Sequence, residues 1–484
     1  MSGRGARIIR SGREAQADRR VRRGVVIAAL VAAVASAAPL LAAPLLAARV
    51  LAAQVLADPA PMPQPITEEE YLPFDERRAR LGRLLFYDKI LSGNRNIACG
   101  TCHDHDHGTT DGLSLGVGEG GVGAGPARRF GTGADRPPKR VPRNANALFN
   151  LGHRDFRVLF HDGRTAIDDA YGNGFSTPAE EWLPKGLGSL PAVQALFPIT
   201  SATEMAGQPG ENEIAAAGRE RIDGIWPRVA ARLRRVPEYV KLFEEAWPEG
   251  PRGPTAVSAA RMANAVGDFV TSEWRSHDAP FDDYLQGDRT ALAPAARRGL
   301  AVFYGKGRCA SCHSGALLTD QDFHALALPP FGPGRTRRFD PYARDVGRMA
   351  ETDDPADAYR FRTPSLRNVA LTGPYGHNGA YRTLEGIVRH HLDPLAALDR
   401  WTRAEPVLPR HEGFAGTDFA VWEDRREMQR LRARIDIEPV ALSDAEVSDL
   451  VAFLHALTGR SAARGRLGKP RRVPSGLPID GVSP

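Results

Sequence analysis

The chain has 484 residues, and 42% of them are hydrophobic. Because a single hydrophobic core stops growing near about 250 to 300 residues, this length predicts two domains, each with its own core. Its formal net charge of +6 is concentrated in residues 1–57, which carry nine arginines but only Glu14 and Asp18, so the remainder has a charge of −1. A nearly neutral remainder gives no electrostatic case for nucleic acid as a partner.

The N-terminal segment has the pattern of an export signal. The arginines of Arg19–Arg23 precede an Ala/Leu/Val-rich run, Val25–Ala57, that ends in small residues. The run is long enough for a membrane anchor, but Pro39, Pro44 and the alanine content favour a cleaved signal. We therefore expect residues 1–57 to be removed and the mature protein to be periplasmic.

All four cysteines stand in two copies of one pattern, Cys-x-x-Cys-His, which are Cys99, Cys102 and His103, and Cys309, Cys312 and His313. This is the signature of c-type haem attachment. Two thioether bonds hold the porphyrin, and the histidine ligates the iron. A disulfide or a zinc site is the alternative. Two copies with no cysteine left over favour two covalent haems c.

Each motif follows an amphipathic segment, Asp75–Leu91 or Ala291–Tyr304, with apolar residues at helical spacing. The recurrence indicates an internal repeat. The Gly/Pro-rich tracts 112–143 and 329–341 have no sustained period and predict loops that wrap the haems. The chain is thus predicted to be mainly helical.

The last predicted helix is Leu442–Thr458. Ser443 and Glu446 form a capping box at its start, and Gly459 follows its end. The Arg/Gly/Pro-rich residues 461–484 predict a flexible tail.

The first haem lacks an obvious second protein ligand. An iron with one open face can bind peroxide, whereas an iron with two protein ligands only passes electrons. His105 and His107 follow His103 too closely to reach the opposite face, and they predict a solvated polar loop. Residues 108–152 contain neither His nor Met. The first haem is therefore predicted to be open.

A candidate ligand for the second haem stands in the predicted helix Thr383–His391. Helical spacing places Leu384, Ile387 and His391 on one face, with His390 off it. From its position alone, His391 is either a packed core residue or a ligand of the iron.

The run Phe361–Gly379, together with the two haem motifs, resembles the bacterial diheme cytochrome c peroxidase and MauG family. The resemblance extends over Tyr71–Gly459. It implies two cytochrome c-like helical domains with long haem-wrapping loops. Residues 58–285 would carry the peroxidatic haem and residues 286–460 the electron-transfer haem.

The resemblance also implies roles for individual residues. Gln194, Pro198 and Glu204 match the family's distal-pocket pattern. Glu204 would move a proton between the two peroxide oxygens, and Gln194 would orient the peroxide. Three further matches imply one calcium ion, held by Asn144, Thr372 and Pro374.

The sequence departs from the family at two positions. His391 stands where the peroxidases have Met and MauG has Tyr, and it is identified with the second-haem ligand on that comparison. Bis-His ligation is expected to give a lower potential than His/Met. His161 stands where the family carries an inter-haem Trp, and Trp182 lies in an apparent insertion. Whether either residue couples the haems is left open by the sequence.

Three functions are compatible with these patterns. The first is a diheme peroxidase that reduces hydrogen peroxide with electrons from a small c-type cytochrome or copper protein. The second is a MauG-like enzyme, as in methanobactin-associated members, that uses peroxide to oxidise Tyr or Trp side chains of a partner protein. The third, a non-catalytic electron carrier, leaves Gln194 and Glu204 without a purpose. The first function is the prediction.

Overall fold

A computed structural model describes residues 61–133, 136–335 and 344–482, which are mainly helical, as predicted. The predicted export segment lies outside the described residues. The α-helices of eight residues or more are Glu76–Tyr87, Ile225–Leu233, Pro237–Ala246, Ala259–Glu273, Pro294–Tyr304, Leu384–Leu392, Arg425–Arg432 and Asp444–His455. The shorter α-helices are Cys99–Cys102, Leu190–Gln194, Glu213–Ala217, Pro280–Leu285, Met349–Thr352, Pro394–Arg400 and Ala420–Glu423.

The strands are two or three residues long and pair antiparallel. They form two two-stranded ladders and one three-stranded ladder, which are Gly121–Val122 with Arg129–Phe130, Phe323–His324 with Phe361–Arg362, and Val158–Leu159 with Thr165–Ile167 and Phe175–Ser176. The tracts predicted as haem-wrapping loops contain only the first of these ladders and one 3-10 turn, Gly125–Ala127, within their described parts.

The internal repeat consists of two packed helix pairs. Helix Glu76–Tyr87 approaches helix Ala259–Glu273 so closely that a Cβ atom at Gly82 would collide with the carbonyl group of Ala265. Such contact without a side chain is a property of glycine.

The second pair repeats this contact. Helix Pro294–Tyr304 packs on helix Asp444–His455, where a Cβ atom at Gly299 would collide with the carbonyl group of Asp449. The Ser443–Glu446 capping box predicted for the last helix is present. Each Cys-x-x-Cys-His motif therefore follows the first helix of an equivalent pair.

The described residues contain two principal hydrophobic cores. The buried helical members of the larger core lie at residues up to Val270, and the second core begins at Phe281. Residues 60–484 nevertheless group as one compact unit. The predicted boundary between a domain ending at residue 285 and a domain beginning at residue 286 stays a prediction. No helix in the described ranges is both long and apolar enough to cross a membrane.

The C-terminal segment 461–482 is ordered against the larger core, so the prediction of a flexible tail is wrong. Ala462, Val473 and Ile479 are buried there. Asp480 accepts a hydrogen bond from the Thr101 hydroxyl at 2.6 Å. The polar composition of the segment conceals these three widely spaced apolar residues. We call residues 461–482 the C-terminal strap.

Candidate functional site

The first attachment motif forms a short helix, Cys99–Cys102, that ends at His103. The backbone N–H of His103 donates to the carbonyl group of Cys99 at 2.9 Å. Nδ1 of His103 lies 3.0 Å from the carbonyl oxygen of Thr109. A hydrogen bond donated by Nδ1 leaves Nε2 unprotonated and available to a metal ion, and burial lowers the pKa of His103.

The second motif repeats this geometry. The backbone N–H of His313 donates to the carbonyl group of Cys309 at 2.9 Å, and Nδ1 lies 3.2 Å from the carbonyl oxygen of Leu318. Burial lowers the pKa of His313 to about 4, so its imidazole is neutral at pH 7. None of the four cysteines is in a disulfide.

A cavity that is partly open to solvent lies beside the first motif. Cys99, Cys102 and His103 line it together with apolar side chains that include Phe86 and Val266. Two thiols and a histidine beside a mainly apolar lining suit an apolar group that is anchored at one edge.

The structure brings the three predicted distal residues into this same cavity. Gln194 ends the short helix Leu190–Gln194, and Pro198 begins a 3-10 turn. Glu204 lies on the π-helical turn Ala202–Ala206. Such turns occur frequently at functional sites. The side-chain oxygen of Gln194 is buried without a hydrogen-bond partner, as expected for a group that orients a bound ligand.

Glu204 faces a buried cluster of charges that sequence reasoning missed. Asp162 lies 2.6 Å from Arg143, 3.1 Å from Arg164 and 2.9 Å from Arg335. Burial alone would raise the pKa of Asp162, but the three arginines outweigh it and hold that pKa well below its usual range. Burial raises the pKa of Glu204 against the opposing charges of the same arginines.

These arginines line the cavity beside Glu204. Arg164 stands three residues after His161, and this proximity is the only feature of the sequence that indicates a place for Arg164 in the site. Arg143 and Arg335 come from tracts predicted as loops, and nothing in their local pattern indicates a common site.

At the second site, the imidazole rings of His313 and His391 have centroids 6.3 Å apart. If two imidazoles bound one iron from opposite sides, two metal–nitrogen bonds of about 2 Å each would lie between them. The distance from each bonding nitrogen to its own ring centroid would make up the remainder of this centroid separation. His390 instead hydrogen-bonds to Tyr381 at 2.8 Å and to the Leu326 carbonyl group at 2.7 Å. The structure therefore distinguishes a packed histidine, His390, from one that faces His313.

The prediction of a solvated loop after His103 is wrong for His105. This residue is buried, and its ring contacts the Tyr87 hydroxyl and Glu273, the latter at 3.0 Å. His107 is partly exposed and lies 3.6 Å from Asp104. Neither His105 nor His107 lines the cavity. Buried histidines need hydrogen-bond partners, and Glu273, 168 residues away in sequence, could not be foreseen.

His161 lines the cavity, whereas Trp182 lies at the surface. Nε2 of His161 is 3.2 Å from the carbonyl oxygen of Asn144. Trp182 is 44% exposed, and the guanidinium group of Arg221 covers its ring at 3.7 Å.

The residues matched to a calcium site do not belong to the cluster of acidic, Cys and His side chains that is spaced for a metal ion. Within the described ranges, the only group of three or more Cys, His or acidic side chains spaced for a metal ion is Cys312, Asp320 and His324. Asn144 donates its amide N–H to the Leu113 carbonyl group at 2.7 Å, which leaves its amide oxygen as a possible ligand atom. The Thr372 hydroxyl donates to a carbonyl group at 3.0 Å. Calcium at Asn144, Thr372 and Pro374 stays a prediction.

Both sites fit a covalently attached haem. Each has two free thiols and a neutral histidine whose Nδ1 is oriented by a carbonyl group. The first site adds the cavity and the unpartnered Gln194 oxygen. The second adds a facing imidazole. The Cys312 sulfur of the possible metal cluster would be taken up by its thioether bond.

Comparisons with known proteins agree with this chemistry. The family model of the di-haem cytochrome c peroxidases matches residues 76–290. A cytochrome-c peroxidase of Pseudomonas sp. (strain SCT) is 30% identical over 411 residues, which cover 81% of this chain and 84% of that protein. The methylamine utilization protein MauG of Methylophilus methylotrophus is 28% identical and covers 83% of this chain and 86% of its own.

A solved structure shares the fold. The crystal structure of a MauG-like protein associated with microbial copper homeostasis has a TM-score of 0.52 and 26% identity, and it covers 83% of this chain and 94% of its own.

Proposed function

The chain belongs to the di-haem cytochrome c peroxidase and MauG family and is a haem-dependent oxidoreductase that acts on peroxide; from this premise we propose that it reduces hydrogen peroxide at the Cys99/Cys102 site with electrons relayed through the Cys309/Cys312 site. One observation carries the proposal: Gln194, Pro198 and Glu204 line the cavity that also contains the first attachment motif.

The haems would be held by Cys99, Cys102 and His103 at the first site, and by Cys309, Cys312, His313 and His391 at the second. When bound at the first site, the haem supplies an iron that coordinates peroxide on its open face and exchanges electrons. The side chains of this chain do the remaining work.

Glu204 transfers the proton in this proposal. Its carboxylate takes a proton from the inner oxygen of the peroxide and returns it to the outer oxygen, which leaves as water. The unpartnered oxygen of Gln194 accepts a hydrogen bond from the peroxide and fixes its orientation. Two electrons and two further protons complete the reduction of one peroxide to two waters.

A second candidate function is favoured by the His313/His391 pair. A site with two imidazole ligands is expected to have a lower potential than one with His and Met, which disfavours uptake of electrons from an ordinary cytochrome. The alternative is therefore a MauG-like enzyme that uses peroxide to oxidise Tyr or Trp side chains of a partner protein. In the first function the partner is instead a small c-type cytochrome or copper protein that donates electrons.

Low-temperature EPR of the oxidised holoprotein, before and after one equivalent of peroxide, tests the proposal. One high-spin and one low-spin signal support an open first site and a closed second site. Loss of both signals on peroxide addition without a donor favours the MauG-like alternative. Two low-spin signals that react only after reduction indicate a first site closed at rest, as in peroxidases that need reductive activation. No reaction with peroxide in either state contradicts both functions.

We also propose that residues 1–57 direct export to the periplasm and that Asn144, Thr372 and Pro374 bind one calcium ion. Export is supported by the arginines and the apolar run of the N-terminal segment. Cell fractionation with N-terminal sequencing tests export. Metal analysis of the Asn144→Ala variant tests calcium binding, because loss of the amide oxygen should reduce the calcium content.

A further inference from the structure

Two turns of the same sequence type, His-Asx-Gly, meet in the structure. The first contains His161 and Gly163, and the second contains His377 and Gly379. Both glycines adopt a positive φ, +70° and +66°. The two imidazole centroids lie 6.5 Å apart with their planes inclined at 71°. The internal repeat thus contributes one histidine from each half to a common contact.

Asn144 holds both histidines in place. Its carbonyl oxygen lies 3.2 Å from Nε2 of His161, and its backbone N–H donates to the carbonyl group of His377 at 2.9 Å. Because Asn144 and His161 line the first cavity with His103, one end of this contact reaches the first site.

The other end extends toward the second site. The ring of His377 stacks on Phe361 with a centroid distance of 3.5 Å and an angle of 7°. Phe361 is paired with His324 across the short ladder. His324 lies 2.9 Å from Asp320, and both belong with Cys312 to a group whose ligand atoms lie within 4.8 Å of one another.

A backbone hydrogen bond connects the same elements. The N–H of Arg362 donates to the carbonyl group of His161 at 2.8 Å, and the Arg362 guanidinium group donates to the carbonyl group of Phe160 at 3.1 Å. The first site and the ladder beside the second site are therefore joined by direct contacts.

We propose that His161, His377 and Phe361 form the route by which electrons pass from the second site to the first. This rests on the proposed function. One electron leaves the ferrous iron bound at His313, which becomes ferric, and reduces the ferric iron bound at His103 to ferrous. The exposed Trp182 takes no part, because it lies outside the cavity lining and beneath Arg221.

The test uses the holoprotein without peroxide, so that a failure of the peroxidase function leaves the measurement intact. Pulsed one-electron reduction under argon is followed by optical recording of electron redistribution between the two haems. His161→Ala and His377→Leu should each slow redistribution at least about tenfold, which corresponds to roughly 1.4 kcal/mol of activation free energy. Trp182→Phe is the matched aromatic control and should keep the wild-type rate.

Haem content, thermal unfolding and oxidised EPR spectra establish that each variant is folded with both irons coordinated as in the wild type. His377→Leu is the second variant because His377 does not line the first cavity. Wild-type rates in both histidine variants overturn the route. A Trp182→Phe variant as slow as the histidine variants also overturns it, because the electron would then pass through the insertion.

Discussion

Glu204 is held between two opposing influences. Its burial favours the neutral acid, whereas Arg143, Arg164 and Arg335 favour the carboxylate, and burial prevails, so the pKa is raised. A carboxyl group with a raised pKa is a better proton carrier near neutral pH than an ordinary surface glutamate.

Glu204→Gln should slow peroxide reduction by about 10²- to 10⁴-fold, because the amide cannot accept and return the proton. Because Glu204 must be ionised to accept the proton, wild-type kcat/KM should fall as the pH drops through a pKa above the usual value of about 4.3, and the variant should lack this limb. Steady-state assays across pH, with haem content as a control, check both results. His103→Gly, without the iron ligand, sets the baseline of no activity. Near-wild-type turnover in Glu204→Gln contradicts the role.

Adjacent histidines give a matched pair of substitutions at the second site. His391→Ala should convert the second haem from low-spin to high-spin, because the ring that faces His313 is lost. His390→Ala should leave the haem low-spin but lower stability by about 1–3 kcal/mol, since Tyr381 and the Leu326 carbonyl group lose a buried partner. EPR and thermal unfolding distinguish the two. An unchanged spectrum in His391→Ala removes it as a ligand.

At the scale of elements, the two packed helix pairs depend on a glycine at each crossing. The absence of a side chain at Gly82 and Gly299 lets the helices touch along their backbones. A methyl group there forces the helices apart or strains them.

Gly82→Ala and Gly299→Ala should each lower the free energy of unfolding by about 1–3 kcal/mol. Gly416→Ala is the control, because a Cβ atom there would meet nothing within 4 Å. Urea unfolding followed by circular dichroism measures the difference. Equal free energies of unfolding for all three variants would show that the helix pairs accommodate a methyl group without loss of stability.

The C-terminal strap connects the end of the chain to the first attachment motif. Lys469 forms ion pairs with Asp104 and Asp106 at 2.5 and 2.7 Å, and Asp480 pairs with Lys89 at 2.6 Å. The Asp480 side chain is 15% exposed and that of Lys89 11%, so this pair is better shielded from water than most surface pairs.

Deletion of residues 461–484 should lower the melting temperature, because burial of a Val or Ile side chain stabilises by about 1.5–3 kcal/mol and two are lost. Arg472→Ala removes only an exposed ion pair with Glu238 and should change stability by less than about 1 kcal/mol. Differential scanning calorimetry of the holoproteins compares them. A truncated protein that melts with the full chain would mean that the strap contributes no net stability.

At the scale of the whole molecule, the features that could be predicted are those that occur twice in the sequence or show apolar residues at helical spacing. The two attachment motifs, the helices before them and the capped last helix are local patterns, and the structure contains those helices. The grouping of Gln194, Pro198 and Glu204 with His103 followed from the family resemblance. The partners of His105, the arginines around Asp162 and the order of the strap depend on contacts between distant residues, which no local pattern encodes.

The mature protein should differ in charge from the full chain. Removal of residues 1–57 takes away nine arginines and two acidic residues, so the net charge falls from +6 to −1, and haem propionates make it more negative. Isoelectric focusing of the periplasmic protein should therefore give a point far below the full-chain value of about 9.2. A basic isoelectric point with the N-terminal segment retained contradicts cleavage.

The strap also makes the first motif depend on a distant part of the chain. Thr101 and Asp104 flank His103, and Thr101 bonds to Asp480, 379 residues later, while Asp104 pairs with Lys469. The native surroundings of the first motif are therefore complete only when residues 461–482 have packed against it.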